Sequence, residues 1–138
     1  MKDRYLFKAK DYNSIWRAGL LIALREDRCA IEEKDGSKWA CDSKTICQCT
    51  GLKDKNGKLI WESDIIKDLF SDVCAQIKYG SYQSCFDSTK NEHVGFYVNW
   101  LGRYAKSRRK DLGYWINIVD AEIVGNTFDN PELLESEG

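Results

Sequence analysis

Apolar residues recur along this chain in short alternating runs, the period of a strand that turns one face toward a core. Ala18, Leu20, Ile22 and Leu24 form the first run, set against a row that includes Arg17 and Arg25. They predict a strand whose aliphatic row is the better-buried one, with a helix as the alternative. Arg28 to Glu33 and Ser37 to Cys41 flank Lys34-Asp35-Gly36, and Asp-Gly between strand-like runs predicts a hairpin because both residue types tolerate positive φ. A second, sharper turn is predicted at Asp54-Lys55-Asn56-Gly57, followed by strands at Leu59 to Trp61 and Asp64 to Lys67.

Further on, Val73, Ala75, Ile77 and Tyr79 share a face opposite Cys74, Gln76 and Lys78. The clearest alternation is Val94, Phe96, Val98 and Trp100, where β-branched and aromatic side chains suit a pleated surface. Tyr114 to Val119 and Ala121 to Asn126 read as two more strands, an antiparallel pair or one bent strand. At the end, Asn130-Pro131-Glu132-Leu133-Leu134 supplies a cap, a first-turn proline and an acid, and predicts one or two helical turns.

Many short strands and little helix predict a mainly β fold. The expected form is a small barrel or roll with additional N-terminal strands and a short C-terminal helical turn. A length of 138 residues suits one domain. It divides into an N-terminal β segment over about 1–49, a barrel over about 50–128 and a tail over 129–138.

Charge narrows the list of partners. With 21 basic and 22 acidic residues, the chain has no global attraction to nucleic acid or to an anionic membrane. The first residues lack the apolar run of a signal peptide, and no later run approaches a membrane span. A cytoplasmic chain is expected. Cys29, Cys41, Cys47, Cys49, Cys74 and Cys85 then read as small buried apolar residues of a reducing compartment and not as a disulfide framework.

Two blocks carry a family resemblance. TGLKDKNGKLIWESDIIK, from Thr50 to Lys67, is similar to the TGLxDKNGxxIxxGDIVK core of the YopX-like family, and AEIVGNTFDNPELLE, from Ala121 to Glu135, resembles its EVIGNIxxNPELL ending. RYLFKAK from Arg4, HVGFYVNW from His93 and RKDLGYWI from Arg109 look like blocks of its longer members. Ser63 stands where the family commonly has glycine, and Cys49 where an aromatic usually precedes Thr50-Gly51. The resemblance implies a protein of bacteriophage or prophage type, working in the cytoplasm of a bacterial host cell, with a mostly β fold containing an SH3-like barrel. It implies no activity, and fold does not supply one.

Candidate chemistry is sparse. Gly51 to Lys58 lacks the spacing of a phosphate-binding loop and the Ser or Thr that follows GxxxxGK, because Leu59 comes next, so it reads as a turn. Glu62 and Asp64, two apart on a strand, share a face and are the only carboxylate pair suggestive of acid–base chemistry; a solvated face, or Asp64 holding the turn, is the simpler reading. Cys47 and Cys49 are too close for a structural zinc pair, and Cys85 with His93 lacks a third, orienting group. No catalytic, cofactor or metal site is predicted.

The strongest lead is a basic cluster of Arg103, Lys106, Arg108, Arg109 and Lys110, with Tyr104 among them as a stacking surface. Such a cluster contacts nucleic acid by counterion release and stacking, although a charge run between strands is more often a solvated loop. Trp16, Trp39, Trp61, Trp100 and Trp115 are core residues or line a groove for a protein. The expectation is a non-enzymatic interaction module whose partner is a protein, a second copy included. Nucleic-acid binding through residues 103–110 is the alternative, and no membrane partner is expected.

Overall fold

The computed structural model describes residues 5–68, 73–83, 92–100, 110–117 and 121–134. They form two compact units that meet in sequence at Gly51 and Leu52. Both are mainly β.

In the N-terminal unit, β1 (Phe7–Lys10), β2 (Trp16–Leu24), β3 (Arg28–Glu32) and β4 (Lys38–Asp42) are followed by a 3-10 turn at Ser43–Thr45 and by β5 (Cys47–Lys53), which continues past the unit boundary. The hydrogen-bonded order is β4-β3-β2-β1-β5. The hairpin predicted around Asp35-Gly36 is present, with Cys29 opposite Cys41 and Glu32 opposite Lys38. Strands β1 and β5 lie where no strand is predicted. Phe-Lys-Ala-Lys alternates correctly but is only four residues long, and its inward residues are Phe7 and the small Ala9.

One expectation about β2 is reversed. The strand forms, but Leu20, Ile22 and Leu24 are 46%, 44% and 57% exposed, while Gly19 is buried. The cause is steric. A side chain at Gly19 would collide with the main chain of Glu32 and Glu33, so this row, and not the aliphatic one, faces the close inter-strand contact. The core of the unit is Ala9, Cys29, Ile31 and Cys41, with Phe7, Leu21, Trp39 and Ile46 packed against it.

In the C-terminal unit, the end of β5 pairs with β6 (Leu59–Trp61). Strands β7 (Asp64–Lys67), β8 (Cys74–Gln83), β9 (Glu92–Trp100) and β10 (Glu122–Asn126) form an antiparallel sheet in the order β10-β7-β8-β9. The alternation read in the sequence places Ala75, Ile77, Val98 and Trp100 in the core. The same row leaves the core farther along the hairpin, where Tyr79 and Val94 are exposed.

The strand expected from Tyr114 is instead α1 (Leu112–Asn117). Aromatic and β-branched residues there suggest a strand, but Leu112, Trp115 and Ile116 are spaced by three and four. That spacing puts all three on one helical face, and all three are buried. The segment Glu122–Asn126 is a strand, pairing with β7 and not with its predecessor. The C-terminal turn is a 3-10 helix at Pro131–Leu134. Neither sheet is closed among the described residues.

Candidate interaction surfaces

The residues that dominate the sequence motifs build the frame of the molecule. Asp54 is buried, and its Oδ1 accepts hydrogen bonds from the main-chain N–H groups of Asn56 and Lys58 at 2.9 and 3.0 Å. Its Oδ2 accepts one from Ile123 N–H at 3.1 Å, from a residue 69 positions away. Asn56 Nδ2 donates to Glu122 Oε2 at 3.3 Å. The DKNG block and the tail block, far apart in sequence, are thus joined to each other. Desolvation pushes the Asp54 carboxyl upward, but the three N–H groups of Ile123, Lys58 and Asn56 together outweigh it and hold its pKa below the ordinary value.

The tail block is equally structural. Asn126 Oδ1 accepts from the N–H groups of Phe128 and Asp129, and Asn130 Oδ1 accepts from Asn126 N–H. Gly125 packs so closely on Asn130 that a Cβ would meet its side chain. These asparagines and the glycine form a self-bonded turn ahead of Pro131.

Glu62 and Asp64 do not share a strand face as the sequence suggests. Glu62 lies in the turn before β7, and buried Asp64 accepts the Trp61 N–H at 2.8 Å, as a turn-holding carboxylate does. Ser63 between them has φ 75°, the left-handed region in which glycine is unstrained.

Five cysteines, Cys29, Cys41, Cys47, Cys49 and Cys74, are buried free thiols. Burial, with a contribution from Cys29, pushes the Cys41 thiol up to about 11, and burial likewise raises Cys29. Neither holds the thiolate a nucleophile needs. Cys85 lies outside the described residues, as do Arg103, Tyr104, Lys106, Arg108 and Arg109 of the basic cluster. Lys110, its last member, is described. Its carbonyl accepts the Val98 N–H at 2.8 Å, and Asp111 bridges to Tyr97, so this segment runs antiparallel beside β9.

Of the tryptophans, Trp100 and Trp115 are core residues with ring centroids 4.4 Å apart. Trp16, Trp39 and Trp61 are half-buried. Trp39 lies under the Arg17 guanidinium, 3.4 Å from its ring centre, and Arg17 is held by Asp11 at 2.9 Å and Glu33 at 3.5 Å. This network fastens the N-terminal unit and covers one face of the Trp39 ring.

Two sheet faces stand apart from the Asp54 and Asn126 turns. The first belongs to β2, β3 and β4. Ala23 is opposite Ala30, which is opposite Ala40, giving a smooth row across three strands. Beside it stands Leu20, opposite Glu32, with Ile22 the extra residue at a register shift between Leu21 and Ala23; beyond the shift Leu24 pairs with the core residue Cys29 and so lies on the other side of the sheet. Charges of both signs flank it: Glu32 opposite Lys38, and Lys8 and Lys10 with their ammonium groups 4.6 and 5.5 Å from the Trp16 ring centre.

The second face belongs to β8 and β9. Its paired rows are Gln76 and Asn99, Lys78 and Tyr97, Gly80 and Gly95, Tyr82 and His93, without an aliphatic side chain among them. The Tyr82 ring stacks on His93 at 5.3 Å and on Tyr97 at 5.1 Å, with interplanar angles of 25° and 27°. Burial, and then the Asp111 charge, raise the Tyr82 pKa. The sequence alternation sets these half-buried residues in the row opposite the core. Their clustering needs the β8–β9 register, which the sequence does not provide.

What these observations define is a mainly β protein of two compact units, with a hydrogen-bonded frame built from its motif residues. The YopX protein family model matches residues 7–135; the chain belongs to that family. No curated protein matches the chain. No helix among the described residues is long and apolar enough to cross a membrane.

Proposed function

We propose that this protein is a non-enzymatic interaction module that binds protein, and that its first partner is a second copy of itself, docked through the outward face of β2, β3 and β4. The observation that carries the reading is exposed Leu20, with exposed Ile22 at the register shift, beside the row of Ala23, Ala30 and Ala40. Contiguous apolar surface of this kind marks interaction sites. Small side chains in register let another sheet approach closely, as in face-to-face sheet packing. The flanking charges are mixed, with Lys8, Lys10 and Lys38 against Glu32, so two copies related by a two-fold axis need not repel.

The family resemblance supports setting this module on an SH3-like framework and in a bacteriophage or prophage gene complement, acting in the host cytoplasm. A binding role also suits a frame in which Asp54 and Asp64 are consumed by main-chain hydrogen bonds.

Solution mass by light scattering tests the reading. The wild-type chain should be a dimer or larger at micromolar concentration, and the double variant Leu20→Lys, Ile22→Lys should be a monomer with an unchanged circular dichroism spectrum. A wild-type monomer over the whole concentration range would overturn it.

A further inference from the structure

We propose that the two copies meet about a two-fold axis lying along the Ala23–Ala30–Ala40 row, so that Glu32 of each copy faces Arg28 of the other and Lys38 of each faces Asp42 of the other. This rests on the self-association reading above and deepens it: the axis is chosen, and with it the residues that decide which partner fits.

Strand alternation assigns the face. On β3, Cys29 and Ile31 are core residues, so Arg28, Ala30 and Glu32 point the other way. On β4, Cys41 is a core residue and Trp39 packs against it, so Lys38, Ala40 and Asp42 point the other way. Register then sets these six in three rows across the two strands: Glu32 opposite Lys38, Ala30 opposite Ala40, and Arg28 opposite Asp42. On β2, Leu20 continues the first row and Ala23 the second. Among the described residues, Arg28, Glu32 and Lys38 make no ion pair within the chain. The Asp42 carboxylate is held in position by the Lys44 N–H at 3.0 Å.

Two sheets packed face to face and related by a two-fold axis have that axis in the plane between them. With the axis along the alanine row, rotation lays each strand over its own copy, reverses its direction and exchanges the rows on either side. Glu32 and Lys38 then lie over Arg28 and Asp42, each charge over its opposite, and alanine meets alanine where the sheets come closest. A two-residue step along a strand is about 7 Å, so both charged rows lie within side-chain reach of the axis. An axis along β3 would instead set Glu32 over Glu32 and Arg28 over Arg28, and like charges brought together across an interface reject a partner.

Two charge reversals, Glu32→Arg and Arg28→Glu, test this axis by light scattering and native mass spectrometry. Each alone should raise the dissociation constant of the dimer about tenfold or more, because its contacts then join like charges. Mixed in equal amounts, the two variants should regain the wild-type dimer mass as a heterodimer, in which the altered side chains face each other with opposite charge. The double variant in one chain should dimerise by itself. A circular dichroism spectrum matching the wild type's is checked first. Lys38→Glu, at an exposed position facing Asp42 of the other copy, repeats the test should either reversal alter that spectrum, and it too should weaken the dimer. A wild-type dimer with undiminished association in these variants, or folded single variants that stay apart on mixing, would overturn the axis and leave self-association standing. A wild-type monomer would overturn both.

Discussion

The two units of the chain solve the problem of burial differently. Among the described residues, the N-terminal unit closes over Ala9, Cys29, Ile31 and Cys41, of which only Ile31 is a large aliphatic. The C-terminal unit closes over Ile60, Ile66, Ile77 and Val98 together with Trp100 and Trp115 from β9 and α1. Apolar burial stabilises by roughly 25 cal/mol per Å2, so the second unit has much the larger hydrophobic term. The first keeps Leu20, Ile22 and Leu24 on its outside. A unit that buries little and exposes much has the most to gain from a partner, whereas the other can present an aromatic and polar face without needing to cover it.

The sharpest way to break this comparison is at Gly19. A Cβ there would meet the carbonyl and main chain of Glu32 and the Cα of Glu33, none of which can move without distorting β3. Gly19→Ala is therefore expected to destabilise the N-terminal unit by about 3 kcal/mol, as overpacking against rigid neighbours does. Hydrogen exchange should show β2 and β3 losing protection while β7, β8 and β9 keep theirs. Equal loss in both units would show that the thin core does not stand or fall by itself.

Asp54 offers the corresponding test in the C-terminal unit. Asp54→Ala leaves three main-chain N–H groups without their acceptor and should cost about 2 kcal/mol in denaturant unfolding. The pH dependence has a definite sign. The folded pKa of Asp54 lies below the ordinary 3.8, so its contribution is present above the unfolded value and is lost as pH falls through the folded one. The acid limb of the stability curve should flatten in the variant. Asp11 is built the same way, with Oδ1 accepting from Asn13 and Ile15, but its Oδ2 goes to nearby Arg17 and not to a distant strand. Asp11→Ala should accordingly loosen its own hairpin and the Arg17–Trp39 contact of the N-terminal unit while leaving the C-terminal unit unchanged.

That pairing also shows what was legible in the sequence. The Asp54 turn was readable because Gly57 marks the left-handed position, at φ 82°. The Asp11 turn has the same hydrogen-bond scheme, but Ser14 holds that position at φ 64°, and serine is no turn signal by itself. The β9 strand was readable from period alone, because every second residue from Phe96 to Trp100 packs on the core. Helix α1 was misread because its aromatic residues favour strands, and only burial of Leu112, Trp115 and Ile116 together decides otherwise. The β2 row was misread because alternation gives two faces but does not say which is inside; the backbone contact at Gly19 decides, and that depends on β3. Both candidate surfaces are products of register, which no single segment contains.

The smallest effect is expected at Ser63, and it bears on whether the C-terminal unit is as fully satisfied as its core suggests. Its φ of 75° is one a side chain tolerates poorly, yet the residue is fixed there by two main-chain bonds, Ser63 N–H to the Ile77 carbonyl at 2.8 Å and Thr127 N–H to the Ser63 carbonyl at 2.9 Å. The turn cannot relax into an ordinary conformation without giving up links to both β8 and the residues after β10. Ser63→Gly removes the strain and keeps both bonds, against some added freedom in the unfolded chain, for a net gain of about 0.5 kcal/mol. Thermal melts of the two proteins side by side measure it. A stabilised variant means the unit carries local strain at the turn between β6 and β7 that its wide core outweighs, whereas a destabilised one means the serine side chain makes an interaction worth more than the backbone strain.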